Sequence, residues 1–107
     1  AAQNLLPTAV FAYSDLMALE IVAVLRELGI GVPERVSVLG FDGIRMSRYA
    51  RPPLSTVSQF PERLGRRGAD MLLQLIEGKR LEHTRITIEP EILVRESCGN
   101  PNPRRKP

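Results

Sequence analysis

Three polar residues suited to holding a hydroxylated small molecule stand at the ends of three short apolar runs. Ser14 follows Thr8–Tyr13 (TAVFAY), Asp42 follows Val36–Phe41 (VSVLGF), and Gln59 follows Leu54–Ser58 (LSTVS). A hydroxyl, a carboxylate and an amide between them accept from and donate to the hydroxyl groups of a polyol. If the three runs are parallel strands of one open α/β sheet, their carboxyl ends share an edge, and ligands of such sheets bind beyond that edge. Each residue also has a plain structural reading. Ser14 and Asp15 are good helix caps, capping being the preferred reading of Asp15. Asp42 suits a turn before Gly43, and Gln59 suits a surface position or a cap.

No catalytic or metal-binding residues are expected. The sequence contains no GxSxG, GxGxxG, GxxxxGKS/T or HExxH pattern. The glycines of Leu39–Gly43 (LGFDG) do not have the spacing of a phosphate cradle. His83 is the only histidine and Cys98 the only cysteine, so a poly-histidine site, a multi-cysteine zinc site and an internal disulfide are excluded. Cys98 reads as a structural or surface thiol. The pairs Asp15/Glu20 and Glu89/Glu91 read as solvated faces. No enzyme activity and no cofactor are expected.

The elements that would position the three polar residues alternate along the chain. The run Thr8–Tyr13 is uncharged and reads as a strand buried on both faces. Ser14-Asp15 then opens a helix over Leu16–Leu28, which Gly29 stops. A second strand over Val36–Phe41 follows, with a short helical turn at Met46–Ala50. Arg51-Pro52-Pro53 breaks the chain before a third strand at Leu54–Ser58. Pro61 suits a first helical position ahead of a helix at Arg63–Glu77, whose Leu64, Gly68, Met71, Leu72, Leu75 and Ile76 share a face and which Gly78 ends. Arg85–Glu89 (RITIE) alternates like a strand, and Glu91–Arg95 (EILVR) reads as a short strand. This order predicts an α/β fold with a mainly parallel sheet flanked by helices.

The first helix carries two apolar stripes. Ala18, Ile21, Val22, Leu25 and Leu28 follow helical spacing and are assigned to the sheet. Leu16, Leu19 and Ala23 lie roughly 100–160° around the helix. A second stripe of that kind meets either a neighbouring loop or another subunit.

Length and charge narrow the partners. The chain has 107 residues, enough for one small domain. Its net charge of +3 is carried by Arg104, Arg105 and Lys106 in the tail Asn100–Pro107 (NPNPRRKP); the other 12 basic residues balance 12 acidic ones. The body therefore lacks the net basic charge typical of a phosphate-binding face for nucleic acid, and the tail reads as a flexible basic segment. There is no apolar run near 18 residues, so no membrane span is expected.

Four blocks, in order, resemble the end of LacI/GalR-family transcriptional regulators: Pro7–Ala18 (PTAVFAYSDLMA), Gly29–Ile44 (GIGVPERVSVLGFDGI), Arg51–Gln59 (RPPLSTVSQ) and Leu93–Ser97 (LVRES). The resemblance covers roughly residues 6–99. It implies a periplasmic-binding-protein-like effector domain of two α/β subdomains around a cleft, of which residues 1–99 are the later part of the second subdomain and residues 100–107 a basic tail. It implies a ligand-sensing and dimerisation module of a cytoplasmic repressor. The implied partners are a small-molecule effector (a sugar or related polyol), a second copy, and DNA reached only through an amino-terminal helix-turn-helix outside this chain. A periplasmic sugar-binding protein of a transport system is the alternative. Position by position, Asp42 of the GFD motif matches a residue that typically bonds the effector. Ser14 stands where relatives often have Asn, and Gln59 matches a cleft position that is often polar. Leu19 with Leu16 and Ala23, together with Tyr49, match the dimer interface. Gly43 stands where relatives usually carry Asp or another polar residue.

Overall fold

In the computed structural model, residues 6–101 are described. Strand β1 is Ala9–Phe11, helix α1 Asp15–Glu27, strand β2 Ser37–Asp42, strand β3 Ser55–Ser58, helix α2 Pro61–Ile76 and strand β4 Glu91–Leu93, with a 3-10 turn at Arg45–Tyr49 between β2 and β3. The strands form one sheet in the order β1-β2-β3-β4. β1, β2 and β3 run parallel, and β4 returns antiparallel beside β3. The α/β architecture with a mainly parallel sheet is the one the sequence predicts. Arg85–Glu89 is the exception: it alternates but forms no strand. A period of two supplies a face for pairing but no partner, and the sheet edge next to β3 is taken by β4.

Local signals account for both helices. The Ser14 side chain accepts from the Met17 N–H at 3.2 Å, with Ser14 itself extended, so α1 starts on a side-chain cap. Gly29, at φ +72°, ends it. Its N–H bonds Arg26 O at 3.0 Å while the Ile30 N–H bonds Leu25 O at 2.8 Å, the crossed pair of a left-handed glycine cap. α2 starts on Pro61 and ends on the same device: Gly78 N–H to Leu75 O at 3.0 Å and Lys79 N–H to Gln74 O at 2.9 Å.

The core lies between α1 and one face of the sheet. Ala18 and Val22 of α1 are buried with Ala12, Val36, Val38 and Leu54, and Ile21, Leu25 and Leu19 pack at the margin. The stripe assigned to the sheet is correct as far as Leu25. Leu28 is instead 67% exposed, because it is the last residue before the glycine cap turns the chain away. The other sheet face stays open. Phe11 is 65% exposed, its ring 6.5 Å from that of Phe41. The expectation that Thr8–Tyr13 is buried on both faces is therefore corrected: one helix covers one face, and α2 buries none of its residues. The radius of gyration is accordingly 18.7 Å, against about 13 Å for a compact domain of this size.

The segment after β4 ties the sheet from the other end. The Ser97 hydroxyl donates to Val38 O at 2.6 Å and accepts from the Ser55 N–H at 2.8 Å, while Ser97 O accepts from the Val38 N–H at 2.9 Å. One buried serine thus joins β2 to β3, and the Arg95 N–H adds a bond to the Ser55 hydroxyl at 2.8 Å.

Candidate effector site

Because β1, β2 and β3 are parallel, the residues that follow them emerge along one edge of the sheet. Asp42 closes β2 opposite Ser58 of β3. The Gln59 N–H bonds Asp42 O at 3.1 Å, and Gln59 Nε2 donates to Asp42 Oδ1 at 2.9 Å. Two residues 17 apart in sequence are thus locked together, both half-buried. Each presets the other's rotamer and keeps polar capacity to spare. Asp42 Oδ2 and Gln59 Oε1 take no hydrogen bond among the described residues, which leaves two acceptors and one amide N–H for a ligand. Ser14 shares the edge but bonds neither of them. Its oxygen caps α1, and its hydroxyl proton is left to donate.

The turn after Asp42 is constrained. Asp42 has φ 121° and Gly43 φ +80°. A Cβ on Gly43 would stand 2.4 Å from Ser58 Oγ and 2.8 Å from Ser58 Cα, so β3 leaves no room for a side chain there.

Asp15 is the residue that sequence reasoning misjudged. It is neither a cap nor part of a solvated pair with Glu20: it is fully buried. Its Oδ2 accepts from Gly43 N–H at 3.1 Å, Ile44 N–H at 2.9 Å and the Ser47 hydroxyl at 2.6 Å, and its Oδ1 accepts from the Thr56 hydroxyl at 2.6 Å. Four donors saturate a carboxylate, and they come from the turn after β2, the 3-10 turn and β3. Asp15 therefore fastens the start of α1 to the loop that presents Asp42. A signal for this was present in Gly40. A glycine inside a strand marks a close approach, and a Cβ there would stand 2.3 Å from Asp15 Oδ1.

The residues assigned to a subunit contact divide. Leu16 is 63% and Tyr49 66% exposed, and Ala23 is exposed too. Leu19 is half-buried against the core. Among the described residues, no three metal-ligating side chains gather, and no helix is long and apolar enough to cross a membrane. The tail Asn102–Pro107, with Arg104, Arg105 and Lys106, lies outside the described residues.

Residues 1–98 match the periplasmic binding protein-like domain family. The chain belongs to this family. Its relatives are regulators, in line with the resemblance to the LacI/GalR group: a portion of the effector-binding domain of such a regulator is what the chain matches. It is 43% identical over 96 residues to the HTH-type transcriptional repressor PurR of Pasteurella multocida, covering 90% of this chain and 29% of that protein. The transcriptional regulator CelR, solved in complex with cellobiose, is 43% identical with a TM-score of 0.73 and covers 84% of this chain and 28% of its own. A LacI-type transcription regulator from Bifidobacterium animalis subsp. lactis superposes with a TM-score of 0.83 at 31% identity, over 92% of this chain and 35% of its own. The chain thus spans just under a third of the length of the curated relatives it matches.

Proposed function

We propose that this chain is the ligand-sensing part of a sugar-responsive transcriptional repressor that acts in the cytoplasm and performs no catalysis. The observation that carries the reading is the Asp42–Gln59 pair, held at the carboxyl edge of a parallel sheet with two acceptors unclaimed among the described residues. A sugar hydroxyl donates to Asp42 Oδ2, a second donates to Gln59 Oε1, and the Ser14 hydroxyl contributes a further donor. The cellobiose complex of CelR supports a carbohydrate as effector. The effector acts by binding one arrangement of the domain better than another, so its differential affinity sets the shift in DNA binding. DNA is contacted through a helix-turn-helix outside residues 1–99, and residues 100–107 are a basic tail to the sensing part. Leu16, Ala23, Tyr49 and the outer side of Leu19 form the surface that meets a second copy.

Titration calorimetry of the intact regulator with a panel of mono- and disaccharides tests the site. Asp42→Ala weakens the sugar that binds by roughly 1–3 kcal/mol, the cost of leaving buried polar groups unpaired; unchanged affinity removes Asp42 from the site. In sedimentation, Leu19→Lys moves the protein towards monomer, and an unchanged dimer would discard the proposed contact surface.

A further inference from the structure

Beside the Asp42–Gln59 pair lies an open cavity of about 460 Å³, lined by Gly43, Ile44 and Ser58 on the sheet side and by the start of α2. Four arginines line it, Arg45, Arg48, Arg63 and Arg95, against one acidic residue, Glu62. Glu62 answers only one of them, through Arg45 Nη2 at 2.5 Å. The Arg48 side chain has no hydrogen bond or ion pair among the described residues. Arg63 lies over the Phe60 ring, 4.2 Å from its centroid, which steadies the side chain while leaving its N–H donors unspent. Arg95 donates Nη1 to Leu54 O at 2.8 Å and keeps its other donors.

The backbone adds to the same imbalance. α2 begins without a side-chain cap. Of the four N–H positions that open a helix, the first, on Phe60, bonds the Ser58 hydroxyl at 3.1 Å, and Pro61 has none to offer. The N–H groups of Glu62 and Arg63 find no acceptor among the described residues, and both residues line the cavity. Unpaired guanidinium forks and a bare helix start, with its partial positive charge, meet at one place. Like charges around one cavity repel unless an anion joins them, and the planar forks match the oxygens of phosphate or carboxylate. A volume in the few-hundred Å³ range suits a small molecule rather than a polymer.

We propose that this cavity binds the phosphate or carboxylate group of a small anionic molecule, with Arg48, Arg63 and the first N–H groups of α2 as its donors. Gly43 and Ser58 line the cavity and directly adjoin Asp42 and Gln59 in sequence. An anionic sugar therefore sets its charged group among the arginines and its hydroxyls on Asp42 and Gln59. This second half rests on the sensing reading above; the anion site does not.

The test is an NMR titration of the full chain with inorganic phosphate, a hexose phosphate and the parent hexose, each against potassium chloride at matched ionic strength. Phosphate shifts the Glu62 and Arg63 amide signals saturably, and chloride does not. Arg48→Ala with Arg63→Ala weakens phosphate by about tenfold or more, the scale of charge-assisted hydrogen bonds lost. Arg67→Ala, on α2 but off the cavity, leaves it unchanged. Hexose phosphate binding tighter than phosphate, with the gain erased by Asp42→Ala, assigns the anion to the effector. Equal affinity of the two, indifferent to Asp42→Ala, makes the site one for free phosphate and leaves the anion proposal standing without the sensing reading. Absence of any saturable phosphate shift, or a double variant that binds as well as the original, overturns the proposal. Parent hexose still bound through Asp42 in that case would leave the sensing reading intact.

Discussion

α1 starts on a serine cap and α2 on a proline, and both end on the same left-handed glycine cap, at Gly29 and Gly78, yet only one of them is part of the core. α1 buries Asp15, Ala18 and Val22. α2 buries nothing, although its apolar residues are gathered on a sharper stripe. Leu72, Leu75 and Ile76 of that stripe are all more than half exposed. The difference teaches that amphipathic spacing shows only that a helix is able to pack. Whether it does depends on a surface brought within reach, and β2 supplies one for α1 alone. Helical existence is a local property here, whereas burial is a property of the assembled sheet.

The largest effect that would sharpen this contrast is at Asp15. Asp15→Ala leaves four donors without an acceptor and detaches the start of α1 from β3 and the turn after β2. It should cost roughly 3–5 kcal/mol in chemical denaturation, at the upper end for a single buried polar network. Asp15→Asn should cost less: its amide oxygen can face the Oδ2 donors, and its NH₂ can donate to a reoriented Thr56 hydroxyl. A loss below about 1 kcal/mol for the alanine variant would show that α1 is held by packing alone.

Val22→Ala comes next. It removes two methyl groups from the α1–sheet core, and a penalty of about 1–2.5 kcal/mol is expected from the transfer and cavity terms. Ser14→Ala strips the side-chain cap of α1 and should cost about 1 kcal/mol by the same measurement; no loss at all would mean that the Met17 N–H is equally content with water. Leu72→Lys on α2 should be the mildest, within about ±0.5 kcal/mol, because Leu and Lys are similar helix formers and the side chain is already in solvent. A cost near that of Val22→Ala would break the comparison by showing that α2 is docked in solution.

Much of the site was legible because its signals are local or periodic. An apolar run ending in a polar residue marks a strand and the edge it points to, and three such runs placed Ser14, Asp42 and Gln59 on that edge once the sheet was parallel. The direct Asp42–Gln59 bond was not legible, since it depends on the register that sets Asp42 opposite Ser58. Asp15 was misread for a related reason. Next to a cap and at a helix start, an acidic residue has a sufficient local explanation, and only the approach of Gly40, Ser47 and Thr56 gives it a different one.

The arginines around the cavity show the same divide. In sequence they are scattered from Arg45 to Arg95 within a body whose charges balance, and the fold gathers them beside one helix start. Apart from Arg85–Glu89, which alternates without forming a strand, the sequence by itself determined which segments are strand or helix, where each helix begins and ends, and which polar residues follow the strands, because caps, glycines and apolar periods act over a few residues. Tertiary structure alone decided which carboxylate is buried, which helix is covered and which charges meet, because those outcomes depend on contacts between residues tens of positions apart.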